Sequence, residues 1–202
     1  TAIFGPMEAN PFANTFVIAA LPVIIFLRYS MLYFDFIFSD SIIRFCNFIR
    51  ALAQAEHVDF LPEAKFKGLH TRIPLQPENC HLLLPTTFMN NSGQAVRAVA
   101  SFYKIPTEAI LVVHDELDLP TGLAKLKQSG GHGGHNGLKS IEESLKTQQY
   151  PRLRFGIGDN FDRGKQVNYV LGKWEEIELD LVNKGIEKLV FTFAEPKYIS
   201  SL

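Results

Sequence analysis

The 202-residue sequence has only two cysteines, Cys46 and Cys80, far apart, and a single tryptophan. Such spacing excludes a disulfide framework and suits reduced thiols of a cytoplasmic protein. Neither sign of charge is in excess: 20 Lys and Arg stand against 21 Asp and Glu, a formal net charge of −1. No global basic field gathers nucleic acid, so any RNA contact must come from a local patch. No apolar run reaches the roughly 20 residues that a membrane span needs. Residues 16–27 come nearest, and Arg28 and Asp35 break the stretch that follows. No Lys or Arg precedes that run, which argues against a secretory signal. The chain is therefore expected to be soluble, with no membrane partner. It also lacks a G-x-S-x-G nucleophile elbow, and no histidine occurs before His57.

What is present suits a packed core. Hydrophobic residues make up 47% and aromatics 12%. Residues 18–26 read as buried strand or buried helix, which periodicity cannot separate. Residues 41–55 carry a wide apolar helical face through Ile42, Phe45, Ile49 and Leu52. Residues 63–74 read as a strand. His81-Leu82-Leu83-Leu84, closed by Pro85, reads as a buried strand. Val96, Val99, Ala100 and Tyr103 mark a helix that follows Asn90-Asn91-Ser92. Residues 109–113 read as a central strand whose polar end is His114-Asp115. Residues 123–127 alternate as a strand with one wet face. A glycine-rich loop at 130–137 precedes a helix over 138–145, a strand over 153–158, a short segment at 169–173 and a long helix over 175–195. Strands alternating with helices predict an α/β fold: one domain over residues 1–202, with a twisted mixed sheet and helices on both faces.

Three segments could carry chemistry, each outside the end of a strand, where open α/β sheets form their crevice. They are Pro85-Thr86-Thr87-Phe88-Met89-Asn90-Asn91-Ser92-Gly93, His114-Asp115-Glu116-Leu117-Asp118-Leu119-Pro120, and Gly130-Gly131-His132-Gly133-Gly134-His135-Asn136-Gly137-Leu138-Lys139. Asn90 and Asn136 each offer an amide that donates and accepts, suited to ester or ribose groups, and each could instead be a helix N-cap. Asp115 closes an apolar strand, where a carboxylate can orient a base or cap a turn. The glycine loop lets backbone N–H groups approach a ligand at a helix N-terminus. As a dinucleotide fingerprint it fails, because Asn136 stands at the third glycine position. His132, His135 and Asp115 could in principle hold a metal, but His-x-x-His in a loop is weak evidence for one.

Together the segments resemble the bacterial-type peptidyl-tRNA hydrolase family from about residue 51 onward. "PTTFMNNSG", "HDELDLPTG" and "GGHGGHNGLK" stand in the family's order and spacing, and "YPRLRFGIG" and "VLGKW" continue the match. The resemblance implies hydrolysis of the ester joining a peptide to the 3′ ribose of tRNA, without metal or cofactor; a monomer is expected, since no interface signal stands out beyond the apolar N-terminal stretch. It implies that Asp115 orients a catalytic imidazole. It implies that Asn90 and Asn136 hold substrate and attacking water, with Asn136 also at the tRNA 3′ end. Phe88 and Met89 would form an apolar wall, His135 would line the groove, and Lys127 and Arg154 would clamp the tRNA 5′-phosphate.

The first 50 residues depart from the family. Its members open with a G-x-G/A-N-P-G turn and a later threonine-arginine-histidine-asparagine segment that supplies the general base. Here Ala9-Asn10-Pro11-Phe12 is a partial echo, which makes Asn10 a candidate, and residues 15–20 contain no histidine. Three readings stay open. The chain could be an RNA-binding member without turnover. Its first 50 residues could reflect a displaced reading frame. Or His114 or His135 could serve as the base.

Overall fold

A computed structural model describes residues 23–26, 49–74, 79–162, 164, 169 and 176–194. Asn10 and residues 41–48 of the expected first helix lie outside them. Seven strands form one sheet: β1 (Val23–Phe26), β2 (Leu61–Glu63), β3 (Gly68–Pro74), β4 (Asn79–Pro85), β5 (Ile110–Glu116), β6 (Ala124–Lys127) and β7 (Arg152–Gly156). Their spatial order is β2-β3-β4-β1-β5-β7-β6. β1 runs parallel to β4 and β5, and β5 runs parallel to β7. The β2–β3, β3–β4 and β6–β7 pairs are antiparallel. The sheet is therefore mixed, as expected.

Among the described residues, four helices flank it. Residues 49–55 form α1; α2 is Ser92–Tyr103, α3 is Asn136–Leu145 and α4 is Glu176–Ala194. The continuous apolar runs of β4 and β5 follow from burial on both faces. Leu82, Leu84, Leu111 and Val113 pack with Ile49 and Leu52 of α1 and with Val182 and Ile186 of α4. Leu83, Ile110 and Val112 point the other way and pack with Val96 and Val99 of α2 and with Leu138 and Ile141 of α3. Helices thus cover both faces. The α2–α3 contact is close because Gly93 stands in it. A Cβ on Gly93 would lie 2.0 Å from the Ser140 carbonyl oxygen, and its N–H donates to Ser140 Oγ at 3.0 Å.

One open alternative is settled and one sequence expectation changes. Residues 23–26 are strand rather than helix, and they hold the central place in the sheet. The single strand expected over 63–74 is two strands, separated by a 3₁₀ turn (Ala64–Phe66) and by Lys67 in the left-handed region at φ 51°. A lysine there leaves no mark in the sequence, unlike a glycine.

At the antiparallel side of the sheet, β3 and β4 bring two histidines together. His70 and His81 are both buried, with His70 Nε2 and His81 Nδ1 sharing a hydrogen bond of 3.0 Å. Tyr103 packs against both rings. Burial lowers the pKa of each, and His81 falls to about 4, with the neighbouring His70 adding to the effect.

Candidate active site

The C-terminal end of β5 opens into a cavity of about 490 Å³. His114, Asp115 and Glu116 line it from β5, Lys127 from β6, Arg152 and Arg154 from β7, and the glycine loop closes it. β1 is parallel to β5, with Phe26 opposite Val113, so the C-terminal end of β1 lies on this same side of the sheet. The cavity thus sits where a parallel sheet places its crevice.

The loop between β6 and α3 turns through Gly133 and Gly134, at φ 56° and 86°. A Cβ would meet nothing within 4 Å at either position, so glycine is needed there for backbone conformation rather than for space. The loop delivers His135 to the first turn of α3. His135 Nδ1 accepts hydrogen bonds from the N–H groups of Gly137 and Leu138, at 3.1 and 3.3 Å. The residue that caps the helix is therefore His135. Asn136 is the first helical residue, exposed on the cavity rim, and Asn91 precedes α2 without a side-chain cap bond. Neither Asn90 nor Asn136 caps a helix.

Across the cavity, His135 Nε2 lies 3.3 Å from Asp115 Oδ1. Since Nδ1 is an acceptor, the ring proton sits on Nε2 and is donated to Asp115. Burial pushes the Asp115 carboxyl up, but the His135 hydrogen bond and the adjacent imidazoles hold it below the usual carboxylate range. Next to it, His114 is almost fully buried. Its Nδ1 donates to the Asp115 carbonyl oxygen at 2.7 Å, and its Nε2 has no hydrogen-bond partner among the described residues. Burial, then the nearby His135, lowers the His114 pKa to about 4.

The basic wall is partly neutralised. Arg154 Nε donates to Glu116 Oε2 at 2.8 Å, which leaves its terminal guanidinium nitrogens for another anion. Burial of Glu116 acts against its charge, but the Arg154 bond outweighs it and keeps the carboxyl low. Lys127 is exposed and has no acidic partner among the described residues. Arg152 is 2% exposed. It donates to the carbonyl oxygens of Gly131 and Gly130 and to Glu142 Oε1, and so ties the glycine loop to β7 and α3.

The structure thus brings Asp115, His135, Asn136, Lys127 and Arg154 to one cavity. Asn90, Phe88 and Met89 are not on its lining. Asn90 is exposed on the 3₁₀ turn Met89–Asn91, which packs against α3. Met89 is buried in the α2–α3 core, where the expected apolar wall would need it open, while Phe88 is 43% exposed beside it. The metal alternative draws no support from the ligand atoms. His132 Nδ1 accepts from the Gly134 N–H, both His135 nitrogens are engaged, and no three candidate ligands converge among the described residues. His57 is exposed, just past the end of α1. Sequence reasoning missed Arg152, because an arginine reads as surface; its only signal is the Arg-Leu-Arg alternation opposite β6.

The family model described as peptidyl-tRNA hydrolase matches residues 46–195. The chain belongs to the peptidyl-tRNA hydrolase family. It is 51% identical over 141 residues to a peptidyl-tRNA hydrolase from Pseudomonas syringae, covering 69% of this chain and 73% of the relative. It is also 51% identical over 146 residues to one from Escherichia fergusonii, covering 67% and 75%. A crystal structure of the Acinetobacter baumannii peptidyl-tRNA hydrolase matches with a TM-score of 0.74 at 32% identity, covering 91% of this chain and 94% of that one. A second peptidyl-tRNA hydrolase structure, a complex with N-propanol, matches with a TM-score of 0.76 at 32% identity, covering 91% and 93%. Among the described residues, no helix is long and apolar enough to cross a membrane.

Proposed function

We propose that this chain hydrolyses peptidyl-tRNA at the cavity beside Asp115. The observation that carries the reading is a partly buried carboxylate, held below the usual carboxylate range by His135, at the end of a central strand in a cleft with a basic wall, within a peptidyl-tRNA hydrolase family match. Water attacks the ester carbonyl carbon, and the 3′-ribose oxygen leaves with a proton, giving free tRNA and a peptide carboxylate. With no histidine before His57 and both His135 nitrogens engaged, His114 takes the water's proton: it lines the cavity next to Asp115, which stabilises the charged imidazole, and the His114 Nε2 has no hydrogen-bond partner among the described residues. Asp115 Oδ1 is engaged by His135, and Oδ2 makes no side-chain hydrogen bond among the described residues, which suits a second donor. Asn136 on the rim and Asn90 on the neighbouring turn hold the 3′ end and the attacking water. Phe88, exposed next to the turn that carries Asn90, offers apolar contact, and the buried Met89 holds that turn against the core. Lys127 and the terminal nitrogens of Arg154 receive the tRNA 5′-phosphate, as a point charge and a fork. The protein acts as a cytoplasmic monomer with one domain, and needs no cofactor.

The test is release of tRNA from N-acetyl-aminoacyl-tRNA by the full chain, with and without a chelator. Turnover that is indifferent to chelator is expected. Tight tRNA binding without turnover would replace the hydrolase with the RNA-binding reading.

A further inference from the structure

We infer that His135 is a positioning residue for Asp115, not a substrate contact and not a base, a role that rests on the hydrolase reading only for its kinetic consequence. Both ring nitrogens are committed. The Nδ1 lone pair accepts the first free N–H groups of α3, from Gly137 and Leu138. The Nε2 proton meets Asp115 Oδ1. A base needs a free lone pair, and His135 has none. A substrate contact needs a free donor or acceptor, and it has none of these either. The ring instead forms a rigid strut between the N-terminus of α3 and the carboxylate. α3 is anchored at its other side by Leu138 and Ile141 in the core, so the strut has a fixed foot.

The surroundings of Asp115 make this contact decisive. Its side chain is 21% exposed and that of His135 15%, so water competes weakly for the bond. On its own strand, Glu116 is occupied by Arg154 and His114 donates only to the backbone. Arg152 is spent on Glu142 and the loop carbonyls. Asp118, Lys127 and His132 also line the cavity, yet none hydrogen-bonds to the carboxylate. His135 is the one side-chain donor to Asp115 among the described residues. Removing it leaves burial, the largest influence on this carboxyl, unopposed by any side-chain hydrogen bond, with only its own backbone N–H and the nearby His114 still acting the other way.

Two substitutions separate the two ends of the strut. Asn places an oxygen near the Nδ1 position and is a good N-cap, so His135→Asn keeps the helix end and loses the donor to Asp115. Gln extends an amide toward the Nε2 position, so His135→Gln keeps a donor for Asp115 and weakens the cap. Carbon-detected NMR titration of the Asp115 carboxyl in the full chain reads the contact without requiring activity. The positioning role predicts a titration midpoint moved to higher pH in His135→Asn, and a smaller move in His135→Gln. In peptidyl-tRNA hydrolysis, His135→Asn should lower kcat on the order of 10- to 100-fold, the weight of one hydrogen bond to a charged group. KM should change less than about twofold, the acid limb of the kcat profile should shift upward with the carboxyl, and His135→Gln should restore part of kcat. An unchanged Asp115 titration in His135→Asn overturns the positioning role, whatever the activity. So does a rise in KM with kcat unchanged, which is the signature of substrate contact. A titration shift in His135→Asn together with a wild type that releases no tRNA retains the strut and overturns the hydrolase reading.

Discussion

Replacing Arg152 with methionine removes the tie between the glycine loop and the rest of the fold. The guanidinium is 2% exposed, and the Glu142 carboxylate that it meets at 3.3 Å is 11% exposed. The same group holds the carbonyl oxygens of Gly130 and Gly131 and lies 4.5 Å from the centre of the Tyr150 ring. Methionine fills similar volume but leaves two carbonyls without this donor and the Glu142 carboxylate with only the Gln148 amide, at 3.1 Å, and no cation among the described residues. Breaking a buried pair by removing one partner costs about 3–5 kcal/mol, most of it from the stranded charge. For a domain of this size that is a fall in Tm of about 6–20 °C. Urea unfolding of wild type, Arg152→Met and the double variant Arg152→Met/Glu142→Gln measures it. The double variant should recover part of the loss, since its leftover group is neutral. Lysine should rescue poorly, because a point charge cannot serve three acceptors in different directions. A loss below about 1 kcal/mol for Arg152→Met would refute the view that this residue fastens the loop.

Other outcomes follow from the same geometry. Gly93→Ala places a Cβ against the Ser140 carbonyl and should lower stability by roughly 1–3 kcal/mol, read by thermal unfolding. The His70–His81 pair and His114 have folded pKa values below the ordinary histidine value. The unfolded chain therefore binds protons first as pH falls. Stability should be full above about pH 6.5 and decline toward pH 4, where His81 and His114 also protonate in the fold. His81→Gln should flatten part of that decline in Tm measured between pH 7 and 4.5. Lys127→Ala should raise KM for 5′-phosphorylated peptidyl-tRNA about tenfold at low salt, and the difference should shrink at high salt. A tRNA lacking the 5′-phosphate should be insensitive to that substitution.

Much of the fold was legible in the sequence, for identifiable reasons. β4 and β5 are buried on both faces, so Leu82-Leu83-Leu84 and Leu111-Val112-Val113 stand out as apolar runs. α2 shows itself through Val96, Val99 and Ala100 on one face. Asp115 was recognisable as a polar residue ending such a run. What stayed hidden depends on tertiary contact. The central place of β1 could not be read, because a short apolar run fits a helix as well as a strand. The capping role of His135 arises only when the loop brings its ring back over α3, and histidine is not an ordinary cap residue. His70 and His81 meet only through the β3–β4 register. Arg152 is buried by a loop that follows no pattern of its own.

Hydrolysis of N-acetyl-aminoacyl-tRNA by wild type and Asp115→Asn, compared side by side under single-turnover conditions, tests the central claim most directly. The Asp115-centred site predicts release of tRNA by the wild type and a loss of about 10²–10⁴-fold in the variant, with tRNA binding retained. Equal rates for the two chains would contradict it.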